Sequence, residues 1–250
     1  MRTILISAAL AFGAATPSVA LAQNGHVDVS YANFNEDFGV GDVDIDITRV
    51  AGQVAFDNAP VGFQVDANYA NWEVGNDLDA WGLGGHVYRR SLRWLFGGYV
   101  GFDSLDDDDA WTAALETQYY MPRGTFSGQL SYSDMEDQSL SSMAIDGWYR
   151  HFVTENFSVR GGAGLGEFDA GGTDFNFWQA EIGGEFKFDA LPISVFAGYR
   201  HAEYDIPVGQ LDTDTATVGV RYNWGGSLLD RDRGGPGLDR VLPVFERVIV

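Results

Sequence analysis

The feature that most constrains this chain is an alternation of apolar and polar residues with a period of two, which recurs from residue 23 to residue 224. It falls into twelve segments of roughly ten residues, each bounded by turn-forming residues. In one segment Trp178, Ile182 and Phe186 alternate with Gln179 and Glu185. Successive side chains of a strand point to opposite faces, so the pattern predicts strands with one apolar and one polar face.

The links between the segments alternate in kind, which is the second strong signal. Every other link is tight, as at 90–92 and 122–124, whereas the links between them are acidic and mostly longer, as at 104–109 and 205–214. Transmembrane barrels have short turns at one end and longer loops at the other. We therefore predict an all-β transmembrane antiparallel up-and-down β-barrel over residues 23–224, with twelve strands as the first choice and ten or fourteen as alternatives.

The first 22 residues have the order of a secretory signal peptide. Arg2 provides a basic start, residues 4–15 form an apolar run, and residues 20–22 read Ala-Leu-Ala, a small-x-small cleavage site. The apolar run is shorter than the roughly 18 residues that a spanning helix needs. We expect residues 1–22 to be removed on export and the mature chain to begin at Gln23.

Composition narrows the class of function. The chain has no cysteine, so it has neither disulfides nor thiolate metal sites. Its net charge of −21 argues against nucleic acid as a partner, because nucleic-acid binding requires a basic surface. Lys187 is the single lysine, which excludes a Walker-type phosphate loop. We expect no cofactor.

The last alternating segment carries a short motif: Thr217, Gly219, Tyr222 and Trp224 place a polar residue, a glycine and two aromatics at set spacings. This strand resembles the C-terminal assembly signal of Gram-negative outer-membrane proteins, and residues 23–224 resemble the small porin-like barrels. The resemblance implies a cell outer-membrane location, contact with membrane lipid and lipopolysaccharide, and recognition by the barrel assembly machinery during insertion.

The chain departs from that family after Trp224, where the signal usually ends the protein. Residues 225–250 are rich in glycine and arginine and finish with an apolar stretch. Three positions are open for this extension: the periplasm, the barrel lumen, or a frayed disordered tail. We favour a periplasmic extension.

Two kinds of site have weak support. Barrel hydrolases pair histidine with serine or aspartate, but His26, His86, His151 and His201 lack the His-x-Ser spacing that would place both groups on one strand face. We therefore predict that the protein is not an enzyme. Acidic runs suit hard cations, and the weak metal candidates are Asp106, Asp107, Asp108 and Asp109. Solvated acidic loops are the simpler interpretation.

The polar faces of the strands are more informative, because they point into the lumen. Continuing the alternation inward assigns eight charged residues as pore-lining candidates: Arg150, Arg160, Arg200, Arg221, Glu116, Asp146, Glu181 and Glu185. An arginine wall facing carboxylates resembles the constriction of general porins, where charge selects ions and small polar solutes. The alternative is a set of ion pairs that simply fills the barrel.

The sequence thus predicts a porin-like channel for passive diffusion of ions or small hydrophilic solutes. Its acidic outer mouth would concentrate cations, and its inner arginines would favour anions. The rival hypothesis is a non-conducting structural or surface-interaction barrel, whose acidic loops bind divalent cations, lipopolysaccharide or a partner. A twelve-strand lumen lies between a filled and an open one, so strand number does not separate the two.

Overall fold

A computed structural model describes residues 24–37, 42–58, 61–74, 76–106, 108–135, 138–206 and 209–249. The signal peptide predicted for residues 1–22 lies outside the described residues. The twelve predicted strands are confirmed, and the alternatives of ten or fourteen are wrong. The strands are β1 Asn24–Asp37, β2 Asp42–Asn58, β3 Val61–Val74, β4 Asn76–Arg90, β5 Trp94–Leu105, β6 Asp108–Met121, β7 Gly124–Met135, β8 Leu140–Thr154, β9 Phe157–Ala170, β10 Asp174–Lys187, β11 Ile193–Ile206 and β12 Gly209–Trp224.

The strands form one closed antiparallel barrel in which each pairs with its neighbours in sequence. The barrel closes where β1 pairs with β12, from Gly25 opposite Trp224 to Asp37 opposite Asp212. Closure satisfies the backbone groups that an open sheet edge would leave unpaired, which is the condition for a sheet to cross a bilayer. We call the end that holds the β2–β3 and β4–β5 links the turn end, and the opposite end the loop end.

The longer loops predicted between alternate strands are largely absent from the described residues, and this prediction is wrong. Strand pairing continues into the acidic links until it joins Val74 to Asn76 and Leu105 to Asp108. A carboxylate beside the first of these links is hydrogen-bonded across the strands: Asp79 accepts from Tyr69 at 2.6 Å and from Asn71 at 3.0 Å. Because pairing satisfies backbone groups in water as well as in lipid, the ladder runs past the apolar belt.

The outward face is apolar and exposed around the whole barrel. Val100 and Leu115 are each 67% exposed, an arrangement that a water-soluble core residue does not show but a lipid-facing one does. Aromatic side chains form a girdle near each end, as barrels place them at the two bilayer interfaces. The exposed members are Tyr31, Trp81, Phe102, Trp111, Tyr132, Trp178 and Tyr199 toward the loop end, and Phe63, Trp94, Phe96, Phe126, Phe186 and Tyr222 toward the turn end.

Two helices follow the barrel, α1 over Leu228–Gly234 and α2 over Val244–Ile249. Ser227 caps α1, and its side chain and that of Asp230 bond reciprocally to each other's backbone amide. This capping box satisfies amides that a free helix start would leave open. Across the described residues, no helix reaches the length and hydropathy that crossing a bilayer requires.

The inward face is buried and divides into layers along the barrel. Toward the loop end it is apolar, and this layer includes Phe34, Trp72, Phe168 and Tyr204 at no more than 1% exposure. Charged and polar side chains follow below it. Nearer the turn end, Tyr88, Leu95 and Tyr120 form a second apolar cluster.

Candidate functional site in the barrel lumen

The segment after β12 lies inside the barrel. At its start, the Leu229 amide donates to the Glu155 carbonyl in a turn-end link at 3.0 Å. Further along, the Leu238 carbonyl accepts from Gln64 at 2.8 Å, and the Val244 amide donates to Ser133 at 2.9 Å. The periplasmic position predicted for residues 225–250 is therefore wrong for the described part, and the luminal alternative is the one found.

The physical reason is that the lumen buries apolar side chains, which the periplasm would leave in water, and offers partners for the charged ones. Val244 and Phe245 join the apolar layer at the loop end, and the Phe245 ring lies 6.1 Å from that of Trp72 between centroids. Leu238 joins the turn-end cluster. We call residues 225–249 the luminal segment.

The arginines predicted to face inward do so, and two of them meet the luminal segment. Arg160 binds Glu181 at 2.5 Å and Asp239 of the segment at 2.8 Å. Arg150 lies 3.5 Å from the same Asp239 and 3.1 Å from Asp232. Asp239 thus sits between two arginines of adjacent strands.

A second ionic group lies nearer the turn end, around Glu185. This carboxylate binds Arg221 at 2.9 Å and Arg231 of the luminal segment at 2.5 Å. Arg221 also reaches Asp28 at 3.1 Å, across the seam between β12 and β1. Arg200 lies 3.6 Å from Glu181 and so joins the first group.

Asp146 and Glu116, the other inward carboxylates, have different surroundings. Asp146 binds Arg247 of the luminal segment at 2.8 Å and accepts from Gln179 at 2.7 Å. Glu116 lies on the opposite side of the lumen, where His86 bridges it at 2.8 Å to Asp66 at 2.7 Å. All eight predicted residues therefore point into the barrel, but they do not form one lining; the pore-lining role remains a prediction.

Empty space remains in the lumen, chiefly beside β8 to β12. Two adjoining cavities of about 290 and 280 Å³ lie between the luminal segment and the wall; both border β8 to β12 and Arg49 of β2, and the first also reaches β1, β3 and β7. Both are bordered by the same seven charged residues: Arg49, Arg150, Arg160, Arg200, Arg221, Glu181 and Asp239. Five positive and two negative side chains give this space a cationic surface.

The luminal segment brings further charged residues that sequence reasoning missed. Arg240 pairs with Asp103 and, at 3.1 Å, with Glu246, which also binds Arg49 at 2.9 Å. The alternation of acidic and basic residues after Trp224 is a signal for pairing with a charged wall. The signal is overlooked when the segment is predicted to lie in the periplasm, because no charged wall is present there.

The arginines around the luminal segment change the pKa of its carboxyl groups. Burial by itself raises the pKa of the Glu246 carboxyl, but Arg240 and Arg49 outweigh burial and lower that pKa to about 2. For Asp239, burial likewise raises the pKa, and Arg160 and Arg150 reverse the effect and lower it. Both carboxylates are therefore held in the ionised form that the arginines bind.

The remaining predicted residues lie where the alternation placed them. Thr217 and Gly219 face the lumen on β12, and Tyr222 and Trp224 point outward near the turn end. Of the acidic run, Asp107 lies outside the described residues, and Asp108 accepts from Gln138 at 2.9 Å. The described part of the chain contains no group of three or more His, Cys, Asp or Glu side chains that could hold a metal ion.

No protein-family model and no curated protein sequence matches this chain. Solved structures of outer-membrane barrels do. The NanC porin has a TM-score of 0.57 at 9% identity, with 78% of this chain and 98% of that one covered. The KdgM porin has a TM-score of 0.55 at 9% identity, with 79% and 99% covered, and its complex with disordered oligogalacturonate has 0.54 at the same identity and coverage. The porin-like barrel fold predicted from the sequence is confirmed.

Proposed function

We propose that this protein is an outer-membrane channel of the porin type, through which ions or small hydrophilic solutes diffuse passively. The observation that carries the proposal is the charged cavity beside β8 to β12, bordered by Arg150, Arg160, Arg200 and Arg221. Charged walls around a hydrated space are what selective pores use, and the mechanism needs neither a cofactor nor coupling to an energy source. The similarity to porin structures supports a channel over an enzyme.

Selectivity in such a channel would come from two opposed regions. The acidic residues at the loop end attract cations from the outside medium, whereas the arginines at the cavity attract anions. Exposed carboxylates such as Asp109 are screened by salt over roughly 8 Å at physiological ionic strength. The cavity arginines are half-buried and are screened less. We expect mild cation preference at low salt that fades as salt rises.

The test is a single-channel recording on residues 23–250 refolded into a planar bilayer under a salt gradient. Discrete current steps with a measurable reversal potential are the expected result. Arg200→Gln should move the reversal potential toward cations, because it removes a positive charge from the cavity wall. Arg89→Gln, which removes an exposed charge outside the cavity at the turn end, is the matched control and should move it less. Strong anion preference at low salt, or equal shifts in both variants, contradicts the proposal.

A second candidate function is favoured by the filling of the lumen. The apolar layer at the loop end is closed by side chains such as Trp72 and Phe245, which are at most 3% exposed. A barrel filled in this way suits a non-conducting protein whose acidic outer residues bind divalent cations, lipopolysaccharide or a partner. A silent bilayer with a folded barrel, together with chelator-sensitive binding of lipopolysaccharide vesicles, would favour this candidate over the channel.

The partners that we propose are those of a membrane barrel. Lipid would cover the apolar belt, and lipopolysaccharide phosphates would meet the acidic loop end through divalent cations. The barrel assembly machinery would recognise β12 during insertion. Crosslinking of a β12 variant to that machinery during assembly tests the last of these.

A further inference from the structure

We propose that the luminal segment is a resident plug that closes the channel, and that Asp239, held by Arg150 and Arg160, is the latch that keeps it in place. The inference rests on the proposed channel function. It assigns a regulatory role to residues 225–249, with release of the latch as the opening step.

The plug occupies the width of the lumen at several levels. Its residues contact β3 through Gln64, β6 through Gln118, β7 through Ser133 and β8 through Asp146. The side chains that it buries to 4% exposure or less are Leu228, Asp232, Leu238, Val241, Val244, Phe245, Glu246 and Arg247. A solute crossing the barrel would have to pass this segment.

The segment can move without disturbing the barrel, because it takes no part in strand pairing. Each of the twelve strands has two strand neighbours. Described residues beyond Trp224 form only α1, α2 and irregular backbone. The segment is joined to β12 at the turn end, so it can withdraw toward that end while every strand ladder remains intact.

Its contacts with the barrel are also incompletely satisfied. Several buried polar atoms at the interface have no hydrogen-bond partner among the described residues, including Nε and Nη1 of Arg247, Nε of Arg240 and Oδ2 of Asp103. A buried charged group with unused donors or acceptors reduces the stability of the packed state.

Loss of the Asp239 carboxylate should weaken the docking of the plug without lowering the stability of the barrel wall. It borders the cavity, and its carboxylate makes the segment's only contact with Arg160 among the described ion pairs. When the carboxylate is removed, Arg160 still has Glu181 and Arg150 still has Asp232. Neither arginine is left buried without a partner, so the barrel itself should keep its stability.

The absence of cysteine from the chain allows a direct measure of plug position. Val241 is 0% exposed and packs with Tyr99 and Ala114. In the Val241→Cys background, the thiol should react with a membrane-impermeant maleimide only when the segment leaves the lumen. Val244→Cys, at another fully buried position, is a second reporter if the first does not fold.

Adding Asp239→Asn should accelerate labelling by about fivefold, since a half-buried ion pair between segment and wall is lost, and should raise the open fraction in single-channel records. Asp239→Glu keeps the charge and should label close to the background rate. Asp230→Asn is the matched control, because Asp230 is exposed and bonds only within the α1 cap. Folding of every variant is checked by heat-modifiable mobility on a gel.

The outcomes separate the plug from the channel. If Asp239→Asn labels no faster than Asp230→Asn and its current is unchanged, the latch is refuted. If the Val241→Cys background protein, with its thiol still protected from the maleimide, already conducts as much as Asp239→Asn, the segment does not close the channel. The channel function would nevertheless be supported. If Asp239→Asn labels rapidly and the membrane stays silent, the segment is mobile but the channel function fails.

Discussion

The two sides of the barrel hold the luminal segment by different means. On the side of β3 to β7, the segment packs mainly against aromatic and aliphatic side chains, with Leu238 among Tyr88, Leu95 and Tyr120, and an ion pair joins Arg240 to Asp103. On the side of β8 to β12, it faces arginines and a cavity of about 280 Å³. Close apolar packing leaves no space beside Leu238, whereas the ionic contacts on the other side border an open volume.

This difference indicates that one side of the barrel is structural and the other is functional. The β3–β7 side also contains the His86 bridge between Asp66 and Glu116, whose carboxylates are at most 6% exposed. It is a complete hydrogen-bonded group with no access to the cavity. At the cavity, by contrast, Arg160 pairs with Glu181 of the wall and with Asp239 of the plug, and Arg150 pairs with Asp239 and Asp232 of the plug. We infer that the first side is the rigid frame and the second is the working surface.

The largest expected effect comes from breaking the frame at His86. Removing the imidazole by His86→Ala leaves two buried carboxylates facing each other, and we expect a loss of about 3–5 kcal/mol in the free energy of unfolding. The measurement is urea unfolding in lipid vesicles followed by tryptophan fluorescence. His151→Ala, at a partly exposed position that contacts Tyr149, should change stability much less. Equal losses would mean that the bridge is not a structural unit.

A smaller effect is expected where the plug meets the frame. Leu238→Ala removes apolar contact with Tyr88, Leu95 and Tyr120, and Leu→Ala changes in a core cost about 2–5 kcal/mol. The space left by the shortened side chain lies between the plug and the barrel wall, not between strands. The lost free energy should therefore weaken retention of the plug more than it lowers the stability of the barrel to unfolding. Labelling of the Val241→Cys reporter should rise while the urea midpoint stays near that of the parent.

Leu229→Ala, in the same segment but half-buried, is the control for that substitution and should label more slowly than Leu238→Ala. A drop in the urea midpoint without a change in labelling would show that Leu238 serves the barrel itself.

The smallest effect concerns acid. Since the pKa of Glu246 is lowered from its ordinary value of 4.5 to about 2, its contribution to plug docking is fully present above the ordinary value and disappears as pH falls toward 2. The lowered pKa of Asp239 acts in the same direction. We expect the open fraction in bilayer recordings to rise as pH falls below about 4.

Glu246→Gln should flatten that acid response, since the variant has no proton to take up at this position. Glu203→Gln, a substitution at a partly exposed position near the loop end, should leave it unchanged. An open fraction that falls with acid in the parent protein would contradict the proposed role of these carboxylates.

Much of the barrel could be predicted from local sequence. Alternation predicted the strand number and the inward direction of all eight charged candidates, because side-chain direction in a strand depends only on position parity. The lengths of the loop-end links were misjudged, because acidic residues are typical of loops but their backbone can still pair, as Glu73 does with Asp77. Polar composition is a correlate of loops, and backbone pairing does not depend on it.

Partners across the lumen were beyond this reasoning. The His86 bridge joins residues of three strands, and neither alternation nor spacing relates Glu116 to Asp66. Asp239 and Arg160 are likewise 79 residues apart. Parity shows which face a residue lies on, but the distance between two inward residues depends on barrel closure, strand stagger and tilt.

The sequence by itself therefore determined the barrel: period-two alternation and turn signals are local properties, and a chain with twelve such segments has a closed sheet as its way to satisfy the backbone in a membrane. Only the tertiary structure decided that residues 225–249 fill the lumen. An irregular segment of mixed charge has no period that indicates its surroundings. Its position follows from complementary charges and apolar surfaces that come together only once the barrel has closed.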